Sequence, residues 1–364
     1  MDDKRYNVFL LLSNIARNIV DVFSLIILYS NGVSIKDIFR FLSIYYFISI
    51  FVNLYSVYII NKKGYKILLL LSSIMLGISF SFLSLIKLNF IRLIILAIIL
   101  SISNYTYHSV RHYLGIRYVD NKKKTSNSLI FTYLGIMISS YLGAYITNKF
   151  SIVITSIVVI SLSIISIIPL FRVDINYEEE RLELRNVHIN NLLFVLFEQF
   201  KIIFLMLEPL FIYIYIDSNW EYVGIFNVIV GLSSIIFVYY MGRKNNISNY
   251  FKAINIIFSI VLILKLNISN KYILFGIAFL EGIGIKNFEM SSLSNFYNVR
   301  NVNVNVSSYL LLSEIIFCFS CFIISLLFSF INDIVISLYI CILFIFICSF
   351  VRNIRKRKID VDSC

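Results

Sequence analysis

Apolar runs close to the length of a membrane span follow one another along nearly the whole chain. "ILLLLSSIMLGISFSFLSL" (Ile67 to Leu85) is typical. A span needs about 20 mostly apolar residues, and few folds other than a bundle of membrane helices accept so many such runs in series. The composition agrees: 59% of the 364 residues are hydrophobic, 14% are charged, and the mean hydropathy is +0.87. Soluble domains carry about 25% charged residues. Membrane strands would alternate polar and apolar residues over about 10 positions, whereas these runs are continuous. An all-α integral membrane protein is expected. The abundance of Ile, Asn, Lys and Tyr reads as the coding bias of an AT-rich genome of bacterial type.

Twelve transmembrane helices fit the pattern, at 8–30, 38–60, 67–87, 90–110, 127–147, 151–171, 191–216, 221–241, 252–269, 272–290, 306–331 and 333–351. The first run is too long for a signal-peptide core, holds Arg17 and Asp21, and lacks a small-x-small cleavage site, so it reads as a span. Basic residues mark cytoplasmic loops. With the N-terminus inside, 23 lysines and arginines fall on the cytoplasmic side and seven outside, Lys265 among the seven. Both termini are therefore expected in the cytoplasm. This bias also accounts for the net charge of +12, so no nucleic-acid partner is inferred. Cys318 and Cys321 form an isolated CxxC inside an apolar run, which does not make a metal site. No metal and no cofactor is expected.

The polar stretch around "YEEERLELR" (Tyr177 to Arg185) follows the sixth span and divides the chain. The expected organisation is two six-helix bundles: an N-terminal bundle at 1–171, a cytoplasmic linker at 172–190, a C-terminal bundle at 191–351 and a basic cytoplasmic tail at 352–364. Two turns strengthen the division. "INKKGYKILL" (Ile60 to Leu69) joins spans two and three, and "GRKNNISNY" (Gly242 to Tyr250) joins spans eight and nine, half a chain length away. Each combines a glycine with basic residues, as expected of the internal repeats found in secondary transporters.

With this layout the chain resembles the major facilitator superfamily. That family carries Gly-x-x-x-Asp-Arg-x-Gly-Arg-Arg between spans two and three. Here Asn61 stands for the acid, Lys62 for the first arginine, Gly64 matches, Lys66 takes a basic position and Val57 replaces the first glycine. Arg92, opening the fourth span, resembles the family's fourth-span arginine, without the glycine that usually follows it. Gly242 and Arg243 head the corresponding turn of the second half. The resemblance implies gating roles for these turns, with an ionic latch weakened by Asn61. It also implies that spans one, four, seven and ten surround a substrate cavity, while three, six, nine and twelve face lipid.

A charge at mid-bilayer costs about 2.5–3.5 kcal/mol on insertion scales, so such residues are paired or face a cavity. In span one, Asn14, Arg17, Asn18 and Asp21 fall at i, i+3, i+4 and i+7, a spacing that places them on one helical face. Arg17 and Asp21 are one turn apart and able to pair, either to lock helix packing or to line a cavity. Span four adds Asn104, His108 and His112 at successive four-residue steps, open to simple hydrogen bonding or to a proton relay. Span seven carries Glu198, Lys201 and Glu208, span ten Glu281 beside Gly282 and Gly284, and span eleven Glu314. Spans three, six, nine and twelve carry no deep charge on this reading, matching the family's lipid-facing helices.

The function expected is secondary active transport of a small organic solute across the cytoplasmic membrane by alternating access, coupled to protons, with efflux favoured over uptake. A buried carboxylate such as Glu281, Glu314, Asp21 or Glu198 would load and release the proton. The partners are the solute, protons and the lipid bilayer, and the chain is expected to work as a monomer. No phosphate-binding Gly-x-x-x-x-Gly-Lys-Ser/Thr is present, which argues against ATP-driven transport. An enzyme is not expected. The alternative is a protein of the same fold that has lost transport and acts as a sensor, assembly factor or partner subunit.

Overall fold

The structure, a computed structural model, describes residues 3–85, 89–119, 122–150, 152–171, 192–243, 251–297 and 306–347. Those residues form twelve α-helices and no strand. The first six are α1 (Asp3–Ser30), α2 (Ile35–Lys63), α3 (Lys66–Leu85), α4 (Phe90–Tyr118), α5 (Lys122–Lys149) and α6 (Ile152–Phe171). The next five are α7 (Leu192–Tyr215), α8 (Trp220–Met241), α9 (Phe251–Asn267), α10 (Lys271–Tyr297) and α11 (Val306–Ile331). The last described helix is α12 (Ile334–Ile347). Among the described residues, eight helices (α1 to α6, α8 and α11) are long and apolar enough to cross a membrane. Their outer faces carry large exposed apolar side chains in rows, for instance Ile67, Leu70, Ile74 and Ile78 on α3 and Ile257, Ile260, Ile263 and Leu264 on α9. Apolar area of this extent on the outside is matched by lipid and not by water. The chain is an all-helical, multi-pass membrane protein.

Each expected span lies within or close to one helix. Several helices run on past the apolar stretch: α4 continues to Tyr118 and α10 to Tyr297. A helix has no reason to stop where the hydrocarbon ends, because its backbone hydrogen bonds are satisfied internally on both sides of that boundary. Starts are set by side chains that satisfy the free amides of the first turn. Ser34 Oγ accepts from Asp37 N (3.2 Å), Asn89 Oδ1 from Arg92 N (3.0 Å) and Asn219 Oδ1 from Glu221 N (2.9 Å).

The packing has a repeat in it. α2 packs on α4, α4 on α3 and α1 on α5; six helices later α8 packs on α10, α10 on α9 and α7 on α11. α6 lies against α1 and α3. Its counterpart α12 touches α7 through the Phe200–Phe344 stack (4.0 Å) and α9 through Asn267 Nδ2, which donates to Tyr339 Oη (2.9 Å).

Two long seams join the first six helices to the rest, α2 along α11 and α5 along α8, and the same shift of six exchanges one seam for the other. The α2–α11 seam runs through Phe39–Phe328 (5.7 Å between rings) and Asn53 Nδ2 to Cys318 Sγ (3.2 Å), ending at Ser307 Oγ to Asn61 Oδ1 (2.8 Å). The α5–α8 seam runs from Ser126 Oγ, donating to Val238 O (2.8 Å), to Asn148 Nδ2, donating to Glu221 Oε1 (3.0 Å).

In lipid, helices gain little from the hydrophobic effect and rely on close contact between small residues. Gly135 and Gly143 serve this purpose between α1 and α5. A Cβ on Gly135 would meet Leu11 O at 2.7 Å, and one on Gly143 would meet the Phe23 ring at 2.8 Å. α1 is the most buried of the eight spans and α6 the least.

The two glycine turns turn out to differ. Gly64 ends α2 with φ +85°, a conformation that favours glycine. Gly242 has φ −62°, open to any residue, and is held instead by its tight contact with Ser126. The rest of the second turn, the linker at 172–190 and the tail at 352–364 lie outside the described residues.

Candidate functional site

Three clusters gather most of the buried charge. The first surrounds Arg17 of α1, which is 5% exposed. Its guanidinium donates to Ser103 O (3.2 Å), Ser103 Oγ (3.3 Å) and Asn104 Oδ1 (3.1 Å) on α4, and to Ser72 Oγ on α3. It also lies 4.0 Å from the centre of the Tyr107 ring. Ser13, Ser72, Ser73, Ser163 and Ser166 complete a small polar cavity beside it, about 10 Å3, room for roughly one water.

Arg17 does not pair with Asp21. Asn104 stands between them: its Oδ1 accepts from Arg17, while its Nδ2 donates to Asp21 Oδ1 (3.2 Å) and to Tyr45 Oη (3.1 Å). The direct pair expected from the one-turn spacing is thus replaced by an amide bridge. Asp21 is exposed although Val20 and Val22 on either side are buried. A hydrogen bond from Asn104 ties it to α4.

The four polar residues of α1 do not share one partner surface. Asn14 Nδ2 donates to Leu10 O (2.6 Å) and Tyr107 Oη (3.4 Å). Asn18 Nδ2 turns to α5, donating to Ser139 Oγ (2.9 Å) and Ser140 Oγ (3.0 Å). Arg17 and Asn18 are neighbours in sequence, about 100° apart around the helix, which suffices to send one to α4 and the other to α5.

The second cluster is built on Lys265 of α9. Its ammonium is ion-paired with Glu208 of α7 and donates to Glu281 Oε2 of α10 (2.8 Å). The three side chains are 1%, 4% and 0% exposed. The Phe226 ring of α8 closes over the ammonium at 4.3 Å. One expectation is corrected here. Lys265, counted with the outside ends and loops, is buried between helices, so the ninth helix does carry a buried charge. Lys265 is near the end of α9, where a lysine ordinarily extends into water; two carboxylates draw it inward instead. α9 is apolar on nearly every side, so nothing in its sequence marks this. Phe258, Val261 and Leu262 form the buried stripe of α9, and Lys265 continues it at the next helical step. Glu281 and Glu208, expected to line a cavity, are sealed. Lys201, one face with Glu208, is buried as well. The side chain of Glu198 lies outside the described residues.

The third cluster joins the two sets of helices. His112 Nε2 of α4 is 3.6 Å from Glu314 Oε1 of α11. His108 stacks against His112 (6.2 Å between rings) and touches the rings of Tyr105 and Tyr107. Next to it, Ser109 Oγ donates to Asn53 Oδ1 (3.0 Å), and Asn53 holds Cys318. The expected charges therefore point inward but fall in three separate groups rather than around one shared chamber.

At the turn after α2, Asn61 accepts from Ser307 of α11, a neutral contact where the family pattern implies an acid. Lys62 lies over the Tyr58 ring (4.7 Å), and Arg243 over the Tyr239 ring (3.5 Å) while donating to Tyr239 O (3.0 Å). Lys66 begins α3, and Arg92 is exposed in the first turn of α4. The site residues that sequence reasoning passed over are Lys265, Ser72, Ser103, Tyr45 and Tyr107.

No protein-family model matches the chain, and no curated protein sequence matches it either.

Proposed function

We propose that this chain is a secondary active transporter of the major facilitator type. On this reading twelve spans form two six-helix bundles, with both termini in the cytoplasm of a bacterial cell and the chain in the cytoplasmic membrane. The two bundles rock about a midplane site and move a small organic solute, coupled to protons, with efflux favoured over uptake. The observation that supports it most is the packing itself, in which adding six to each helix number reproduces the main helix pairs and exchanges the two long seams. Inverted or repeated bundles of this kind are the usual frame for alternating access. The charge clusters follow the same rule: one draws on α1, α3 and α4, the other on α7, α9 and α10. On this reading Asp21, an exposed acid between buried neighbours on α1, is the group that meets solute.

The second reading, a protein of this fold without transport, draws on one observation. The Asn61–Ser307 contact is neutral, where the family pattern has an acid.

Purified protein in vesicles carrying a proton gradient separates the two. Transport predicts gradient-dependent flux of at least one compound in a broad solute panel, lost in Asp21→Asn. No gradient-driven flux across the panel would favour the second reading.

A further inference from the structure

The cavity beside Arg17 lies wholly within the first six helices. Arg17 reaches it from α1, Ser72 and Ser73 from α3, Tyr107 from α4, and Ser163 and Ser166 from α6. At about 10 Å3 it admits a ligand of one heavy atom. Apolar cavities stay dry, whereas polar ones of this size hold water when they offer it partners.

The two sides of the cavity have opposite needs. A guanidinium has five N–H groups. In Arg17, Nη1 donates to Ser103 and Asn104 and Nη2 to Ser72, while Nε finds no acceptor among the described residues. The side chain is 5% exposed, so bulk water does not supply one. Opposite it, Ser73 Oγ donates to Ser163 O (3.2 Å), Ser163 Oγ to Ile160 O (2.8 Å) and Ser166 Oγ to Ser163 O (2.7 Å). A hydroxyl has one proton. With that proton engaged, each of these three oxygens has only lone pairs left to offer.

We propose that this cavity is a binding site for one water molecule, which accepts from Arg17 and donates to the serine oxygens of α3 and α6. A chloride ion accepts only, so it would meet the serine lone pairs. It would also add a second anion to a region where Asp21 already stands behind Asn104. A metal cation or an ammonium ion is repelled by the guanidinium. The water gives Arg17 an acceptor that the protein does not, and it makes α6, the least buried of the eight spans, part of the Arg17 cluster. The site belongs to one set of six helices and does not rest on the transport reading.

Radiolytic labelling of the full-length protein in lipid tests this. A short X-ray pulse converts bound water to hydroxyl radicals, which oxidise the side chains next to it. Phe9 and Tyr107 line the cavity and are 1% and 2% exposed; Phe39 is as deeply buried but lies in the α2–α11 seam. In wild type, Phe9 or Tyr107 is expected to be oxidised several-fold faster than Phe39. Ser163→Val, whose methyl groups fill the space, is expected to remove that excess. Wild-type rates at both rings no higher than at Phe39 overturn the proposal. So does an excess that Ser163→Val leaves unchanged. Should that variant fail to fold, the wild-type comparison decides. Exchanging chloride for gluconate is expected to alter neither the labelling nor thermal unfolding. A chloride- or bromide-specific rise in thermal stability that is lost in Arg17→Met would assign the cavity to an anion and overturn the water site. If the rings are labelled as expected while no solute is transported, the transport reading falls and the water site stands.

Discussion

Arg17 and Lys265 are both cations sunk deep between helices, in clusters drawn from corresponding helices of the two sets, yet they are partnered in different ways. Arg17 spreads its charge over neutral oxygens of Ser72, Ser103 and Asn104 and over the Tyr107 ring, and reaches its acid through an amide. Lys265 touches two carboxylates directly. The difference follows from the two head groups. A guanidinium has five donors in a planar fork and is satisfied by several weak acceptors, whereas an ammonium is a compact charge that calls for anions. It also follows from access. Asp21 is reachable and can be solvated, so it needs only one protein donor; Glu208 and Glu281 are sealed and depend on their counter-ion. One cluster is arranged to meet something that enters, the other to hold charge away from water.

The sharpest way to break this comparison is to remove the two cations in turn. Lys265→Met strands two buried acids and is expected to cost about 3–5 kcal/mol, the range for breaking a buried ion pair. Thermal unfolding in detergent would show it, or the variant would fail to accumulate. Arg17→Met leaves neutral oxygens and a solvated acid, and is expected to cost about 1–3 kcal/mol. Equal losses would remove the distinction between the clusters.

Combining Lys265→Met with Glu208→Gln and Glu281→Gln sharpens it further. The triple variant is expected to recover most of the lost stability, because neutral isosteres replace the buried charges. A triple variant no better than Lys265→Met would mean that shape rather than charge holds the cluster. A smaller effect is expected at the α2–α11 seam, where Asn61→Ala removes the acceptor of Ser307 and should cost about 0.5–1.5 kcal/mol. The smallest belongs to Asp21→Asn. It keeps an acceptor for Asn104 on an accessible side chain and should change thermal stability by no more than about 0.5 kcal/mol.

How much of this was legible beforehand varies by element. The helices were, because a span in lipid is a long apolar run whatever its partners, and every expected span lies within or close to one helix. The ends were less so: α4 and α10 overrun the apolar stretch, since a helix terminus is set by backbone capping and not by hydropathy. The inward direction of Arg17, Glu208 and Glu281 was legible from cost alone. Their partners were not. Asn104 is far from Asp21 in the chain, and nothing local marks it as the bridge. Lys265 misled because a lysine near a helix end is ordinarily solvated, and α9 is apolar on nearly every side, so its buried stripe emerges only from the packing. The matching glycine turns were read as equivalent, yet Gly64 serves a backbone conformation and Gly242 a close contact. Sequence spacing reports where a residue sits on its own helix; which neighbouring helix it meets depends on the packing of all of them.

Access to the two clusters can be compared directly. In a background with the native cysteines replaced, Asp21→Cys and Glu281→Cys would be treated with a water-soluble thiol reagent in sealed and in permeabilised vesicles. The account predicts that the thiol at 21 reacts and the thiol at 281 stays protected until the protein is unfolded. Reaction at 281 as fast as at 21, or protection of both, would contradict it.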